Sequence, residues 1–348
     1  MASTTSAVIK ISPLGFPFST PDPFLFCVYH ADDYPQGAPS HMRAPTRGNG
    51  ADFDWTKPYR MYHGETIPGF PSHPHRGFET LTITLEGLVD HADSLGARGR
   101  YGEGDLQWMN AGSGVVHQEL FPLIKTSRPN TLRLYQIWLN LPGKDKMKKA
   151  DYVMTWRENL QHVAGEGGAI ALVYAGVLRG VRGGTPPTNS WAAADENDVG
   201  VFVLQLPPGS SFSLPAARDG VSRRAFVTRG DGVRIGDEEA TPPTATVELS
   251  SEMEVSFSVP SSGSAAEVLI LQGRPIGEPV AQRGPFVMNT QAELAQAFAD
   301  YRTTGFGHWP YEEEEVVFER TRGRFAARRS DGGAEVVELP PGGGAIEV

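Results

Sequence analysis

From residue 69 onward, the chain is written as short runs of alternating polarity broken by turns. Thr80-Leu81-Thr82-Ile83-Thr84-Leu85 alternates with a period of two, the signature of a strand with two unlike faces. Strand signals recur at 80–85, 88–91, 105–109, 114–119 and 131–139. The last of these is apolar on both faces, as a central strand should be. An earlier apolar run, 23–30, reads as a buried strand, and polar 31–68 as a long surface connection in which 57–62 covers one mouth of the site that 69–119 would form. A second series follows at 152–156, 169–178, 199–206, 223–229, 245–249, 253–259 and 266–271. It echoes the first: Leu85-Glu86-Gly87-Leu88-Val89-Asp90 has a counterpart in Thr228-Arg229-Gly230-Asp231-Gly232-Val233. Strands at such spacing predict antiparallel barrels, here two of one kind in tandem.

One helix interrupts this pattern. Thr290 and Glu293 form a capping box, and Leu294, Phe298 and Tyr301 follow at helical spacing, predicting a helix over 291–302. The expected organisation is an all-β chain with a barrel over 1–145, a second over 146–285, a helix-containing return segment over 286–304, and an extension over 305–348. That extension carries acidic Glu312–Glu315, then a basic stretch, and reads as a hairpin on the second barrel or a partly disordered tail.

Composition agrees with many short strands. Among 348 residues there are 40 Gly and 28 Pro, spread throughout. The formal net charge is −10, and no Lys/Arg block breaks it, which argues against gripping a nucleic-acid backbone. The basic turn at 142–151 reads as a solvated loop. A single cysteine, Cys27, excludes an internal disulfide and suits a small core hydrophobe. With no apolar leader and no run long enough to span a bilayer, a cytoplasmic or nuclear protein is expected.

The chemistry concentrates between 69 and 119. Side chains i and i+2 of a strand share a face, so His73 and His75 point one way, as do His117 and Glu119. If the two strands are neighbours, three imidazoles and a carboxylate converge. Such a set suits Fe, Ni, Cu, Zn or Mn and leaves part of an octahedral shell open, as catalytic metal sites do. The nine histidines are 30, 41, 63, 73, 75, 91, 117, 162 and 308, so the second barrel cannot build a three-imidazole site. One metal per chain is expected.

The residues that carry this chemistry also resemble a family. His73-Pro74-His75-Arg76-Gly77-Phe78-Glu79-Thr80, Gly104-Asp105-Leu106-Gln107-Trp108-Met109, Ala111–Glu119 and Gly284-Pro285-Phe286-Val287-Met288-Asn289-Thr290 are similar to pirin over about 20–303. The resemblance implies a bicupin, two jelly-roll-like barrels, with Fe(II) in the N-terminal one held by His73, His75, His117 and Glu119. Ni, Cu, Mn or Zn are possible substitutes. Glu79 stands where many cupins place a carboxylate ligand; in pirins that position is not a ligand, so a role in the pocket is expected of it.

Pirin relatives fall into two groups. Some resemble quercetin 2,3-dioxygenases, which open the heterocyclic ring of a flavonol with dioxygen and release carbon monoxide. Others are nuclear co-regulators whose iron oxidation state tunes binding to a transcription factor. The enzyme reading implies a small aromatic substrate, dioxygen, and Glu119 or Glu79 as proton acceptor. Phe70, Phe78, Trp108 and Met109 are candidate pocket walls, and Gln136, Asn110 and His91 are possible partners of the ligands, although His91 is expected rather to face solvent or to cap a strand end. The co-regulator reading implies a protein partner and an outward-facing Arg76.

Overall fold

The computed structural model describes residues 6–46, 57, 59–60, 62–240, 242–329 and 333–348. By contacts the chain divides into two compact units. The first holds 29–136, 143–159 and 278–348; the second holds 1–28, 137–142 and 160–277.

The first unit carries a six-stranded antiparallel sheet in the order Glu335–Glu338, Phe325–Arg329, Arg98–Gly102, Leu88–Asp93, Val115–Leu120 and Gly69–His75. A five-stranded sheet runs Asp151–Thr155, Leu106–Asn110, Phe78–Glu86, Asn130–Asn140 and Phe24–Tyr34. Its alternating strand is thus paired on both sides, as its apolar face requires. An aromatic cluster of Tyr34, Tyr62, Tyr101, Phe121 and Trp156 with Val89, Leu132 and Leu134 forms part of the core.

The second unit has a seven-stranded sheet and a four-stranded one. Its interior is filled by aliphatic and Phe side chains, among them Phe202, Leu204, Phe212, Leu214, Phe257 and Ile270. Among the described residues, the one group of three His, Cys, Asp or Glu side chains placed to share an ion lies in the first unit. The N-terminal strand Val8–Pro13, silent in the alternation pattern, joins this sheet beside Ala245–Leu249.

The helix runs Gln291–Thr304, with the capping box of Thr290 and Glu293 formed and Gly305 in a left-handed conformation closing it. Three placements differ from the sequence reading. Asp151–Thr155 pairs with Leu106–Asn110 in the first unit rather than opening the second series. The extension does form a hairpin, Phe325–Arg329 with Glu335–Glu338, but it lies against Arg98–Gly102 of the first unit, because that edge strand offers free ladder groups. In the basic turn, Lys146 is buried and donates to the Gly77 carbonyl at 2.7 Å. Burial lowers its pKa to about 8.

Candidate metal centre

Two neighbouring strands position the histidines. Gly69–His75 runs antiparallel to Val115–Leu120, with His73 opposite His117, His75 opposite Val115 and Phe70 opposite Glu119. Directly opposed residues share a face, so the pairing turns three rings and one carboxylate toward the same side. The close approach depends on Gly69. Its φ is +125°, and a Cβ there would lie 2.2 Å from the Glu119 carbonyl oxygen, so only glycine fits.

The rings of His73 and His117 are 4.5 Å apart, those of His73 and His75 4.8 Å, and those of His75 and His117 4.9 Å between centroids. One nitrogen from each lies within 4.8 Å of the others, whereas donors sharing an ion through bonds of about 2 Å lie no more than about 4 Å apart. The hydrogen bonds fix which nitrogen faces inward. His73 Nδ1 sits 2.7 Å from the Pro71 carbonyl and His75 Nδ1 3.4 Å from that of Pro285. A carbonyl only accepts, so both Nδ1 atoms carry the proton and both Nε2 atoms present a lone pair. Among the described residues, neither nitrogen of buried His117 has a hydrogen-bond partner. Burial holds all three rings neutral, lowering the pKa of His73 to about 4 and those of His75 and His117 well below the usual value. Neutral imidazole is the ligating form. The His117 nitrogens, without a hydrogen-bond partner among the described residues and set beside two neutral imidazoles, fit a divalent transition metal.

Glu119 lies on the same face, but the group whose donors all lie within 4.8 Å of one another holds the three imidazoles and not its carboxylate. Its Oε2 lies 3.9 Å from His117 Nε2 and accepts from Gln136 Nε2 at 2.7 Å, while Oε1 accepts from Thr82 Oγ1 at 3.2 Å. The Tyr101 hydroxyl, on the same face, donates to Gln107 Oε1 at 3.4 Å. Burial raises the proton affinity of Glu119, opposed by nearby His91 and by its donors Gln136 and Thr82.

Parity separates the remaining expected residues. Thr82 touches Glu119, and Phe78, four residues earlier on the same strand, places its ring 5.1 Å from that of His75. These two face the centre. Glu79 and Leu81 therefore face the other way, with their register partners Asn110 and Trp108. Glu79 accepts from Asn110 Nδ2 at 3.0 Å, so neither Glu79 nor Trp108 belongs to the face that holds the imidazoles, and Asn110 supports Glu79 rather than a ligand. Met109 shares the Thr80 face and packs with Val115 and Tyr152 behind the centre. Phe70 is half-buried at the rim, 6.0 Å from the His73 ring and stacked on Tyr62 at 5.5 Å. Of the segment expected to cover a mouth, 57–62, Tyr62 makes that contact; Pro58 and Met61 lie outside the described residues.

Arg76 is not an outward-facing residue. It is 5% exposed, its Nη1 donates to Asp300 at 2.7 Å, its Nε to the Ser113 carbonyl at 2.7 Å, and its guanidinium lies 4.4 Å from the Phe306 ring centre. His91, expected near solvent, is buried opposite Glu119 in the register, with its ring 5.4 Å from that of His117 and Nε2 3.3 Å from Asp93. Thr82, Tyr101 and Asp93 were missed outright. Strand parity could have found Thr82; the others needed the pairing of Leu88–Asp93 with both of its neighbours.

Comparison with known proteins agrees with this geometry. Residues 40–139 match the family profile described as Pirin, and residues 201–307 that of the Pirin C-terminal cupin domain. A Pseudomonas aeruginosa protein provisionally named as a quercetin 2,3-dioxygenase is 37% identical over 68% of this chain and 79% of its own length. Human pirin is 31% identical over 71% of this chain and 80% of its own. The crystal structure of quercetin 2,3-dioxygenase from Acinetobacter baumannii superposes with a TM-score of 0.66 at 28% identity, covering 82% of this chain and 86% of that one. The two barrels are accordingly cupin domains, and the chain belongs to the pirin family.

Proposed function

We propose that this protein is a metal-dependent dioxygenase acting on a flavonol such as quercetin, with Fe(II) held by His73, His75, His117 and Glu119. The observation that carries the reading is the cluster of neutral imidazoles, two of them locked by carbonyls with Nε2 presented inward and the third without a hydrogen-bond partner among the described residues. A bound divalent metal supplies Lewis acidity toward a substrate hydroxyl and access to dioxygen chemistry.

The chain's own residues do the rest. Half-buried Phe70, 6.0 Å from the ring of half-buried His73, and half-buried Gln136, bonded to Glu119, mark the side from which an aromatic substrate reaches the centre. Phe78 and Met109 back the cluster with apolar surface and keep water from it. Glu119 Oε2 is the destination for the substrate's hydroxyl proton, since Glu79 lies on the opposite face. Asp93 lies on the same face, with its Oδ1 accepting from the backbone of Leu95 and Ala97, each at 2.9 Å, and its Oδ2 3.3 Å from His91 Nε2.

Loss of quercetin's visible absorbance under oxygen tests the reading. Iron-loaded protein turns it over; His117→Ala and Glu119→Ala, shown by elemental analysis to lack metal, do not. Turnover persisting in those metal-free variants refutes the mechanism. The co-regulator alternative loses its proposed contact, because Arg76 is spent on Asp300 and Phe306. Equal capture of protein partners by the Fe(II) and Fe(III) forms would remove it altogether.

A further inference from the structure

The match to the C-terminal family profile ends at residue 307, yet the chain continues to 348. This extension ends up on the sheet that carries the candidate ligands. By alternation, Asp90, Arg100 and Gln118 lie on the face opposite to His91, Tyr101, His117 and Glu119. All three have no exposed surface, and all three terminate on the extension.

Gln118, which stands between His117 and Glu119, pairs with the Val316 backbone as a strand would. Its Nε2 donates to the Val316 carbonyl at 2.7 Å and its Oε1 accepts from the Val316 N–H at 3.1 Å. Arg100 clamps Asp90 through two bonds, of 2.6 and 2.7 Å, and donates to the carbonyls of Phe318, Glu319 and Arg322 at 3.0, 2.9 and 2.8 Å. Asp90 in turn accepts from the Phe318 N–H at 3.0 Å. From the extension's side, Arg320 donates to the Leu123 and Ile124 carbonyls just past the ligand strand. Buried Arg324 bonds Asp105 and Glu158, and Phe325–Arg329 adds itself to the sheet.

We propose that 316–329 is an intramolecular clasp that holds Val115–Leu120 in the position presenting His117 and Glu119, so that metal binding and seating of the clasp are coupled. This rests on the metal-centre reading above. The coupling is reciprocal: a metal that needs both ligands in place tightens the clasp, and a loosened clasp weakens the metal by the same factor.

The test uses the full-length protein with Co(II) and Ni(II) as probes. Gln118→Leu removes both bonds to Val316 at similar volume, and Val316→Pro removes the backbone donor from the other side. Each is expected to weaken metal affinity by about tenfold, in the range seen when groups supporting a ligand are lost, and to alter the Co(II) ligand-field spectrum, which a change in stability alone leaves intact. Arg128→Met, at an exposed pair with Glu347, leaves both unchanged. In the unsubstituted protein, metal slows tryptic cleavage at Arg320 and Arg322 relative to chelator. Wild-type affinity and spectrum in both variants, with cleavage indifferent to metal, overturns the clasp while leaving the metal centre standing. Absence of metal uptake by the wild type overturns the centre itself and the coupling with it.

Discussion

Gln136→Leu probes the centre without touching a ligand. Gln136 Nε2 donates to Glu119 Oε2 at 2.7 Å, while Thr82 serves Oε1. Leucine nearly keeps the volume and removes the bond. A hydrogen bond to a charged group contributes about 1.5–3 kcal/mol, and every ~1.4 kcal/mol is a factor of ten in an equilibrium constant. Because the ionised carboxylate is the form that binds metal, that loss appears as metal affinity falling by about 10- to 150-fold at neutral pH. The sign of the pH effect follows: with a donor gone, burial raises the proton affinity of Glu119 further, and the loss deepens as pH falls. Competition against a chelator between pH 6 and 8 measures it. Glu79→Gln is the control, since Glu79 lies on the other face of its strand beside Asn110. Wild-type affinity in Gln136→Leu, or an equal loss in Glu79→Gln, would refute the placement of the two carboxylates.

Arg100→Met leaves Asp90 buried without its partner and strips donors from the backbone of 318–322; a cost of about 3–5 kcal/mol in the unfolding of the first unit is expected by chemical denaturation, against less than about 1 kcal/mol for exposed Arg128→Met. The metal-free protein should lose stability as pH falls from about 6.5 toward about 4, because His73 titrates near 4 when folded and the unfolded chain takes up that proton first; unfolding midpoints flat across this window would contradict it. Gly69→Ala forces a Cβ onto the Glu119 carbonyl oxygen, so metal affinity and stability should fall together, whereas Gly277→Ala, with no heavy atom within 4 Å of its added Cβ, should leave metal affinity intact.

The sequence by itself determined the local facts. Alternation located most strands, the capping box fixed the helix start at Thr290, and the i, i+2 spacing chose His73, His75, His117 and Glu119 before any pairing was known. These are legible because a strand's two-residue period and a helix cap are properties of neighbouring residues alone. Everything that depended on which strand lies beside which was decided by tertiary structure. Glu79 and Trp108 share a motif with the ligands yet face away, because parity along Phe78–Glu86 is set by where Thr82 meets Glu119. His91 enters the centre only because Leu88–Asp93 pairs with Val115–Leu120. Arg76 and the extension read as surface and tail because charged residues are usually solvated. Their burial became possible only where partners distant in the chain, Asp300 for Arg76 and Asp90 with Arg100 for 318–322, supplied the hydrogen bonds that water would otherwise have made.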